Sequence, residues 1–415
     1  MAASSSIMNI LLINRSDSLG GAAIASRRLM TALNECGANA RMLVIDKQTT
    51  DPRIEAVGSK WRNRYNFLAE RLGIYLHNGL NRDTLFKIDN ASHGLDLSNH
   101  PWVHQADAIV LNWINQGMMS MKTISKLTAM GKPIIWTMHD MWNCTGVCHH
   151  AYECRSYGTT CQSCPLLGSK GKDLSTKTQQ AKAKLYNSAR IHFVSVSNWL
   201  ASCCRRSSLM KGAPMSVIGN PFPASEFMPH EAQNKLGLAP GTRVIAMGAA
   251  RLDDPVKGFD LMIDAMQYIA TEMPELASKI HLLLYGGIRD KSLLDSIAVP
   301  HTYAGYVNDV RDIYSQAHIV LSTSRYESFG YTLVEGMSCG CIPVTTGAGG
   351  QVDIVKHLTN GYVTSDTDAQ SIAKGIEWAV NSDLTRDQLH EWVTTHFDSS
   401  IIAQQYIELI NGLMG

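Results

Sequence analysis

The sequence predicts an α/β protein made of two doubly wound parallel-sheet domains. Apolar runs of buried-strand type alternate with helical stretches through the 415-residue chain. This alternation is interrupted at residues 220–223, Asn-Pro-Phe-Pro, because two prolines cannot continue a strand or a helix interior. The alternation then restarts, so we expect two domains of near-equal size with a ligand cleft between them.

The interruption sets the domain boundaries. We place an N-terminal domain at residues 8–219, with a cysteine-rich loop at 144–165, and a C-terminal domain at residues 220–395. Residues 396–415 carry apolar residues along one side of a helix. We expect this last helix to cross back to the N-terminal domain.

A β-α-β unit opens the first half. Its strand at 9–14 and its helix at 22–35 flank the loop glycines Gly20 and Gly21. This loop lacks the Gly-x-Gly-x-x-Gly pattern of dinucleotide-binding dehydrogenases. The two glycines indicate either a tight turn or a close approach of the backbone to a ligand phosphate or hydroxyl. The other elements predicted in this half are strands at 41–46, 106–113, 133–139, 191–197 and 215–219, and helices at 118–130 and from 198 onward.

The second half repeats the pattern. Because helices join its strands, the crossover connections make a parallel sheet, which binds ligands at the carboxyl ends of its strands. The predicted strands are 243–248, 280–286, 302–306, 318–324 and 341–346, and the predicted helices are 259–273, 291–298, 309–317, 332–339 and the segments after residue 368.

Charge and hydrophobicity limit the classes of function that the protein could have. The 37 Lys and Arg residues balance the 36 Asp and Glu residues, so the total charge does not indicate nucleic acid binding. The sequence has no apolar run of the length that a membrane-spanning helix needs, and no signal-peptide pattern at its start. We therefore expect a cytoplasmic location. Residues 61–88 mix aromatics with arginines, which is typical either of an irregular insertion packed on its own domain or of a membrane-surface segment.

Five of the ten cysteines fall between Cys144 and Cys164. Without an export signal, such clustering favours metal or free thiols over disulfides. Cys148, Cys154, Cys161 and Cys164 could close a tetrahedral structural zinc site, with disulfides or an unmetallated thiol cluster as alternatives. We expect no catalytic zinc, because no separate His and Glu set stands at ligand spacing.

Three polar side chains follow predicted strands closely. His139 ends one strand of the first half, where an active-site residue would lie. Arg251 and Lys257 stand six residues apart on a loop after the first strand of the second half. Both could reach a diphosphate and neutralise its charge, although such a pair is also found on solvated basic loops.

Two carboxylates frame the start of the helix predicted at 332–339. Glu327 lies in the loop before it and Glu335, eight positions later, lies about one helical turn inside it. The backbone N–H groups of residues Phe329, Gly330, Tyr331 and Thr332 would point outward at the helix N-terminus, which favours phosphate. A ligand with phosphate in the middle and hydroxyls at both ends fits this arrangement, and a nucleotide sugar is such a ligand.

These motifs resemble glycosyltransferase family 4, a family of retaining enzymes with the GT-B fold. The resemblance covers nearly the whole chain and is strongest from Gly248 to Gly361. Gln351 departs from it, since the family often has an apolar residue or Pro there. The cysteine-rich loop resembles that of bacterial polysaccharide-assembly members. The matching segments are Gly248-Ala249-Ala250-Arg251 with Lys257, Tyr303-Ala304-Gly305-Tyr306-Val307, Glu327 to Glu335 with Phe329-Gly330 between them, Gly340-Cys341-Ile342-Pro343-Val344, and Gly347-Ala348-Gly349-Gly350.

The resemblance implies two Rossmann-like domains and transfer of a sugar from a nucleoside diphosphate to a hydroxyl without a catalytic metal. It implies Glu335 on the ribose and Glu327 on the sugar hydroxyls. The phosphates would bind Arg251, Lys257 and the amides from Phe329 to Thr332, and Gly248, Tyr306 and Val307 would complete the donor site. The acceptor would lie near Gly20, Gly21 and His139, and the catalytic residues would be His139, Arg251, Lys257 and Glu327.

The resemblance also implies a setting. Family members of this kind build surface polysaccharide, such as lipopolysaccharide or capsule, on glycan or lipid-linked acceptors at the inner face of the cytoplasmic membrane. Two alternatives stay open. A nucleotide-sugar epimerase has the same fold, and a non-catalytic nucleotide-sugar or glycan-binding protein would keep the binding residues.

Overall fold

The computed structural model describes residues 7–229 and 234–415, and the chain separates into two compact units. The first unit runs up to Pro221 and includes Ser399–Gly415, and the second is Phe222–Asp398. Each unit contains a parallel sheet with helices, as the sequence predicts. Within the described ranges, no helix combines the length and the apolar character needed to cross a membrane.

The first unit is built on a seven-stranded sheet in the order β3-β2-β1-β4-β5-β6-β7, and every paired strand is parallel. The order reverses direction between β1 and β4, which makes their carboxyl ends the topological switch point where such sheets bind ligands. The strands are β1 (Asn9–Ile13), β2 (Asn39–Val44), β3 (Ile54–Ala56), β4 (Ala108–Leu111), β5 (Ile134–Met138), β6 (Ile191–Ser195) and β7 (Met215–Val217).

Helices cover this sheet, and the last of them comes from the end of the chain. Helix α14 packs on α1 through Ile402, Tyr406 and Ile410, which belong to the same buried cluster as Leu29 and Leu33. The Tyr406 hydroxyl lies 2.8 Å from Oγ1 of Thr137 on β5. The helices of this unit are α1 (Gly21–Glu35), α2 (Lys60–His77), α3 (Pro101–Gln105), α4 (Met121–Thr128), α5 (Leu174–Ser188), α6 (Asn198–Arg206) and α14 (Ser399–Met414).

The second unit has a six-stranded sheet in the order β10-β9-β8-β11-β12-β13, again with parallel pairing. Its strands are β8 (Arg243–Arg251), β9 (Ile280–Gly287), β10 (His301–Tyr303), β11 (Ile319–Ser322), β12 (Ile342–Thr345) and β13 (Tyr362–Val363). Its helices are α7 (Phe259–Glu272), α8 (Pro274–Ala277), α9 (Arg311–Tyr314), α10 (Tyr331–Ser338), α11 (Gln351–Ile354), α12 (Ala369–Val380) and α13 (Arg386–Phe397).

Some local predictions were wrong. The helix predicted at 291–298 is shorter and is a 3₁₀ helix, Lys291–Ser296, that begins at the capping carboxylate of Asp290. The helix predicted at 309–317 is reduced to the four residues of α9. The prediction missed β3, β13 and α5, because two- and three-residue strands and a polar helix carry little hydrophobic periodicity.

Candidate functional site

In the first unit, polar side chains gather at the topological switch point. Asn14 follows β1, Asn112 follows β4 and His139 follows β5, so all three lie at the carboxyl edge of the sheet. Nε2 of His139 lies 3.1 Å from Oδ1 of Asn112. The Asn14 side chain accepts the Trp113 N–H at 2.9 Å and donates to the Ser16 carbonyl at 2.6 Å. These bonds fix the loops after β1 and β4 around the half-buried His139.

His139 is held as a neutral imidazole. Burial lowers its pKa to about 4, and the opposing effect of the Asp140 carboxylate is smaller. A neutral ring that donates its Nε2–H to Asn112 keeps Nδ1 as a hydrogen-bond acceptor. The side chain can therefore orient a substrate hydroxyl at neutral pH.

Gly20 and Gly21 lie at the start of α1 on the same edge. Gly20 has φ +89° and its carbonyl accepts the N–H groups of Ala23 and Ile24, so it begins the helix. Among the described residues, no atom lies within 4 Å of an ideal Cβ at either glycine. The backbone here is therefore open to a ligand. The left-handed φ explains why position 20 is a glycine, but it does not explain Gly21.

A buried chain of charges lies beside His139, and sequence analysis missed most of it. Nδ1 of His149 lies 2.8 Å from Asp140, and its Nε2 lies 2.9 Å from Asp89. Asp89 in turn pairs with the guanidinium of Arg71. Trp113 donates its indole N–H to Asp140 at 3.0 Å. This chain ties the cysteine-rich loop, which carries His149, to the end of β5 and to α2.

The carboxylates keep His149 cationic. Burial alone would lower its pKa, but Asp140 and Asp89 outweigh burial and raise the pKa to about 10. Burial likewise opposes the ionisation of Asp140, yet His149 and the Trp142 N–H hold the pKa of that carboxyl at about 2. Sequence analysis gave no role to His149, which lies next to Cys148 in the cysteine-rich loop.

The proposed zinc ligands do not form a metal site in this structure. Across residues 7–229 and 234–415, no group of three or more His, Cys, Asp or Glu side chains is arranged to hold a metal ion. All ten cysteines are free thiols. Without a bound metal, burial raises the pKa of Cys148 to about 12 and that of Cys161 to about 11. The structural zinc site and the unmetallated thiol cluster both stay predictions.

In the second unit, the structure brings Lys257 and Glu327 together. The Lys257 ammonium lies 2.8 Å from Oε2 of Glu327, and both side chains are partly exposed. Burial opposes the charge on Lys257, but the Glu327 carboxylate raises its pKa above the usual value. Asp254 connects Arg251 to this pair, because it lies 3.1 Å from the Arg251 guanidinium and also acts on Lys257. The two predicted cations therefore belong to one charged cluster.

Two glycines allow the close backbone contacts that build this cluster. Gly258 has φ +64°, and a Cβ there would lie 2.0 Å from the Thr323 carbonyl. The Thr323 hydroxyl donates to the Gly258 carbonyl at 2.7 Å, which fixes the Lys257 loop to the end of β11. Gly349 has φ +89°, and a Cβ there would lie 1.9 Å from the Glu327 carbonyl. A larger residue at either position would displace one member of the ion pair.

Helix α10 begins four residues after Glu327, at Tyr331, with Gly330 in the left-handed region as its N-cap. The Tyr285 and Tyr314 hydroxyls lie 2.6 Å apart, and Tyr314 donates to the Thr332 carbonyl at 3.1 Å, which anchors the first turn. The first N–H groups of a helix have no partners within it, so this end of α10 suits an anion. The sequence predicted both the helix and its position.

Glu335 is half-buried in the second turn of α10. Burial is the main cause of the raised pKa values of Tyr285, Tyr314 and Cys339, and the Glu335 charge raises all three further. The carboxylate is therefore close to this buried tyrosine pair. Sequence analysis identified Glu335 but not the two tyrosines beside it.

Other predicted donor residues have structural roles in this unit. A Cβ on Gly248 would lie 2.0 Å from Cζ of Tyr285, so this glycine makes room for a packed ring. Phe329 is buried with its ring centroid 5.7 Å from that of Phe397. Tyr306 is 80% exposed and donates its hydroxyl to the Ala250 carbonyl at 3.1 Å, while Val307 is half-buried.

Gln351 entered the sequence analysis only as a departure from the residues usual in glycosyltransferase family 4. It is fully buried, and neither its Nε2 nor its Oε1 has a hydrogen-bond partner among the described residues. Its Cγ lies 3.5 Å from the position of a Cβ on Gly330, next to the N-terminus of α10. Its amide is thus a second polar group at this helix end.

The comparisons with known proteins agree with this geometry. Residues 231–394, which include Arg251, Lys257, Glu327 and Glu335, match the family described as Glycosyl transferases group 1. The match covers less than half of the chain. The matched segment lies within the second unit and contains the charged cluster and the N-terminus of α10.

The full chain has the GT-B fold. It is similar to the crystal structure of Anabaena Alr3699/HepE in complex with UDP and glucose, with a TM-score of 0.64 and 16% identity over 97% of this chain and 99% of that one. It is also similar to WaaG, a glycosyltransferase involved in lipopolysaccharide biosynthesis, with a TM-score of 0.61 and 14% identity over 97% and 100% of the two chains.

A curated relative extends the likeness in sequence. Mannosylfructose-phosphate synthase of Agrobacterium fabrum is 27% identical over 210 residues, which are 46% of this chain and 45% of that protein. The match thus spans less than half the length of this relative.

Proposed function

We propose that the chain is a retaining glycosyltransferase that moves a sugar from a nucleoside-diphosphate sugar to a hydroxyl of a glycan or lipid-linked glycan. The observation that carries the proposal is the Lys257–Glu327 ion pair, which joins Arg251 in a charged cluster four residues before α10. Its position within the segment that matches group 1 glycosyl transferases, and the UDP and glucose named with the HepE structure, support this choice of donor.

The donor would be held by charge and by hydrogen bonds. Arg251, Lys257 and the amides at the start of α10 would bind the diphosphate, whose negative charge grows as the glycosidic bond breaks. Glu335 would accept hydrogen bonds from the ribose hydroxyls. Glu327 would accept them from the sugar while keeping Lys257 in place.

Transfer with retention needs the acceptor on the same face as the leaving group. In the proposed step, the bond between the anomeric carbon and the β-phosphate oxygen breaks and the acceptor oxygen bonds to that carbon. The acceptor proton passes to the leaving phosphate. We infer that the step proceeds without the covalent intermediate that a glycosidase nucleophile would form. His139, with Gly20 and Gly21, would orient the acceptor through its Nδ1 acceptor.

The acceptor class is the broadest part of the proposal. The likeness to WaaG, named for lipopolysaccharide biosynthesis, supports bacterial surface polysaccharide as the product. Such an acceptor would be membrane-attached, so we place the reaction at the inner face of the cytoplasmic membrane.

The experiment has two stages. A thermal-shift panel of nucleoside diphosphates and their sugars identifies the donor, and calorimetry measures its affinity. The donor is then incubated with and without a glycan acceptor, and NMR reads the anomeric configuration of the product. We expect transfer with retention only when acceptor is present. Conversion of the donor alone would instead identify an epimerase, and failure to bind any nucleoside diphosphate would refute the proposal.

A further inference from the structure

Helix α2 exposes a stripe of large apolar side chains. They recur three or four positions apart, which at about 100° per residue places them within an arc of about 80° on one side of the helix. Each is between 50% and 82% exposed. The stripe consists of Trp61, Tyr65, Leu68, Leu72 and Leu76 and is continued past the helix by the exposed Leu80 and Phe86.

The opposite face of α2 is buried and polar. Asn66, Glu70 and Arg71 are at most 6% exposed, and Ile74 is the apolar residue among them. Arg71 lies 3.7 Å from Glu70 and pairs with Asp89 in the buried charge chain. The helix is therefore inverted relative to an ordinary surface helix, which buries its apolar side. The apolar stripe contributes little to the packing of its own unit.

Basic residues surround this stripe. Arg62 and Arg64 lie about 40° beyond its two edges, on opposite sides. Between residues 59 and 87 the exposed cations are Lys60, Arg62, Arg64, Arg82 and Lys87, and Asp83 is the only exposed acid. None of the five cations has an ion-pair partner within the described parts of the chain.

We propose that α2 lies in the headgroup region of an anionic phospholipid bilayer. The apolar stripe would enter the acyl boundary, Trp61 and Tyr65 would lie at the interface, and the flanking cations would bind lipid phosphates. Charge decides between this occupant and a second copy of the chain, because pairing two such faces would bring like charges together. This proposal extends the proposed function, and it depends on that function only through the inference that the acceptor is lipid-linked.

The test uses the full chain and vesicles without donor or acceptor. We expect the protein to sediment with vesicles that contain phosphatidylglycerol, less so with phosphatidylcholine alone, and less at high salt. Changing Leu68, Leu72 and Leu76 together to Gln should weaken binding at least ~10-fold, since three apolar contacts are lost. Arg62→Glu with Arg64→Glu should remove the preference for anionic vesicles.

Leu413→Gln with Met414→Gln is the matched control, because these side chains are 40% and 46% exposed on a different helix, α14. This variant should bind vesicles as the unmodified chain does. Circular dichroism and nucleotide calorimetry on every variant establish that folding and donor binding are retained. Vesicle binding without nucleotide binding would refute the proposed function alone.

Three results would overturn the membrane proposal. The unmodified chain could fail to sediment with either vesicle, or the triple Gln variant could bind as tightly as the unmodified chain. Light scattering could also show a dimer that the triple variant abolishes, without vesicle binding, which would assign the stripe to a second copy.

Discussion

Lys257 and Glu327 stand 70 positions apart in sequence, yet their side chains meet at 2.8 Å on the loops that follow β8 and β11. These two strands are neighbours in the sheet, so the ion pair links two adjacent strand ends. A cation fixed in this way is preorganised for charge that develops on a bound diphosphate, without the cost of reorganising at the moment of reaction.

Replacing either cation of the cluster should slow transfer. We expect Lys257→Ala and Arg251→Ala each to lower kcat by about 10²-fold, the scale of losing one preorganised charge contact. The melting temperature should change little because both side chains are partly exposed. Lys279→Ala is the control. This exposed lysine immediately precedes β9, at the amino end of the strand, whereas the charged cluster follows the carboxyl ends of β8 and β11. Unchanged turnover in the Lys257 or Arg251 variant would contradict the assignment to pyrophosphate.

Glu335 should act in binding more than in chemistry. Removing its carboxylate in Glu335→Ala should weaken nucleoside diphosphate binding by about 10- to 100-fold, as expected for hydrogen bonds to a charged group worth about 1.5–3 kcal/mol. Inorganic pyrophosphate has no ribose, so its affinity should be unchanged. Calorimetry with both ligands checks this. Equal affinity for the nucleoside diphosphate in the variant would count against the ribose assignment.

Gly258→Ala should destabilise the second unit and disturb the Lys257 loop. The substitution forces a left-handed φ on alanine and brings its Cβ to 2.0 Å from a carbonyl oxygen, so we expect a loss of more than about 1 kcal/mol in the free energy of unfolding. Gly212→Ala separates the backbone strain from the steric contact, because Gly212 also has a left-handed φ, +82°, but has open space around the position of a Cβ. If denaturant unfolding gives equal losses for both variants, the steric contact with Thr323 has no effect.

His149→Gln should strongly destabilise the first unit. It removes the cation between Asp89 and Asp140 and leaves two buried carboxylates without that partner, which costs about 3–5 kcal/mol in comparable buried pairs. Tryptophan fluorescence during denaturant unfolding measures the effect. His192→Gln is a suitable control, since this half-buried histidine bonds only to Ser216 Oγ in the described structure.

The loss of stability caused by His149→Gln should depend on pH. The pKa of His149 is raised from about 6.5 to about 10, so its contribution to stability is complete below pH 6.5 and is lost as the pH rises through 10. The pKa of Asp140 is lowered to about 2, so its contribution is present above pH 4 and is lost as the pH falls through 2. The stability difference between the unmodified chain and His149→Gln should therefore be largest between about pH 4 and 6.5. A constant difference from pH 6 to pH 10 would disprove the charged state of His149.

Local patterns predicted most of the fold. The apolar runs and cap residues located α1, α7 and α10 to within a residue or two, because helix ends and buried strands are encoded by adjacent positions. Motif spacing likewise located Lys257 and Glu327. The contact between His149 and Asp89 joins residues 60 positions apart with no shared periodicity, so only the folded chain reveals it.

Two features could not be read from spacing for physical reasons. The cysteine spacing suits zinc, but ligand sets depend on the directions of side chains within a loop of irregular backbone. The leucines of α2 have the periodicity of a core-facing helix, whereas Arg71 and Glu70 turn the polar side inward through bonds to Asp89 and to the Ser92 N–H. Hydrophobic periodicity shows that a helix has an apolar face and a polar face. It does not show which of the two packs against the rest of the protein.

The packing of α14 on α1 has a consequence for biosynthesis. Ile402, Tyr406 and Ile410 fill the apolar cluster of the first unit, yet they are translated after the whole of the second unit. During elongation, residues 7–221 would emerge from the ribosome with the α1 surface uncovered, while Phe222–Asp398 could already fold behind it. The unit that starts first would then finish last, and its nascent form would be the species that needs chaperone protection.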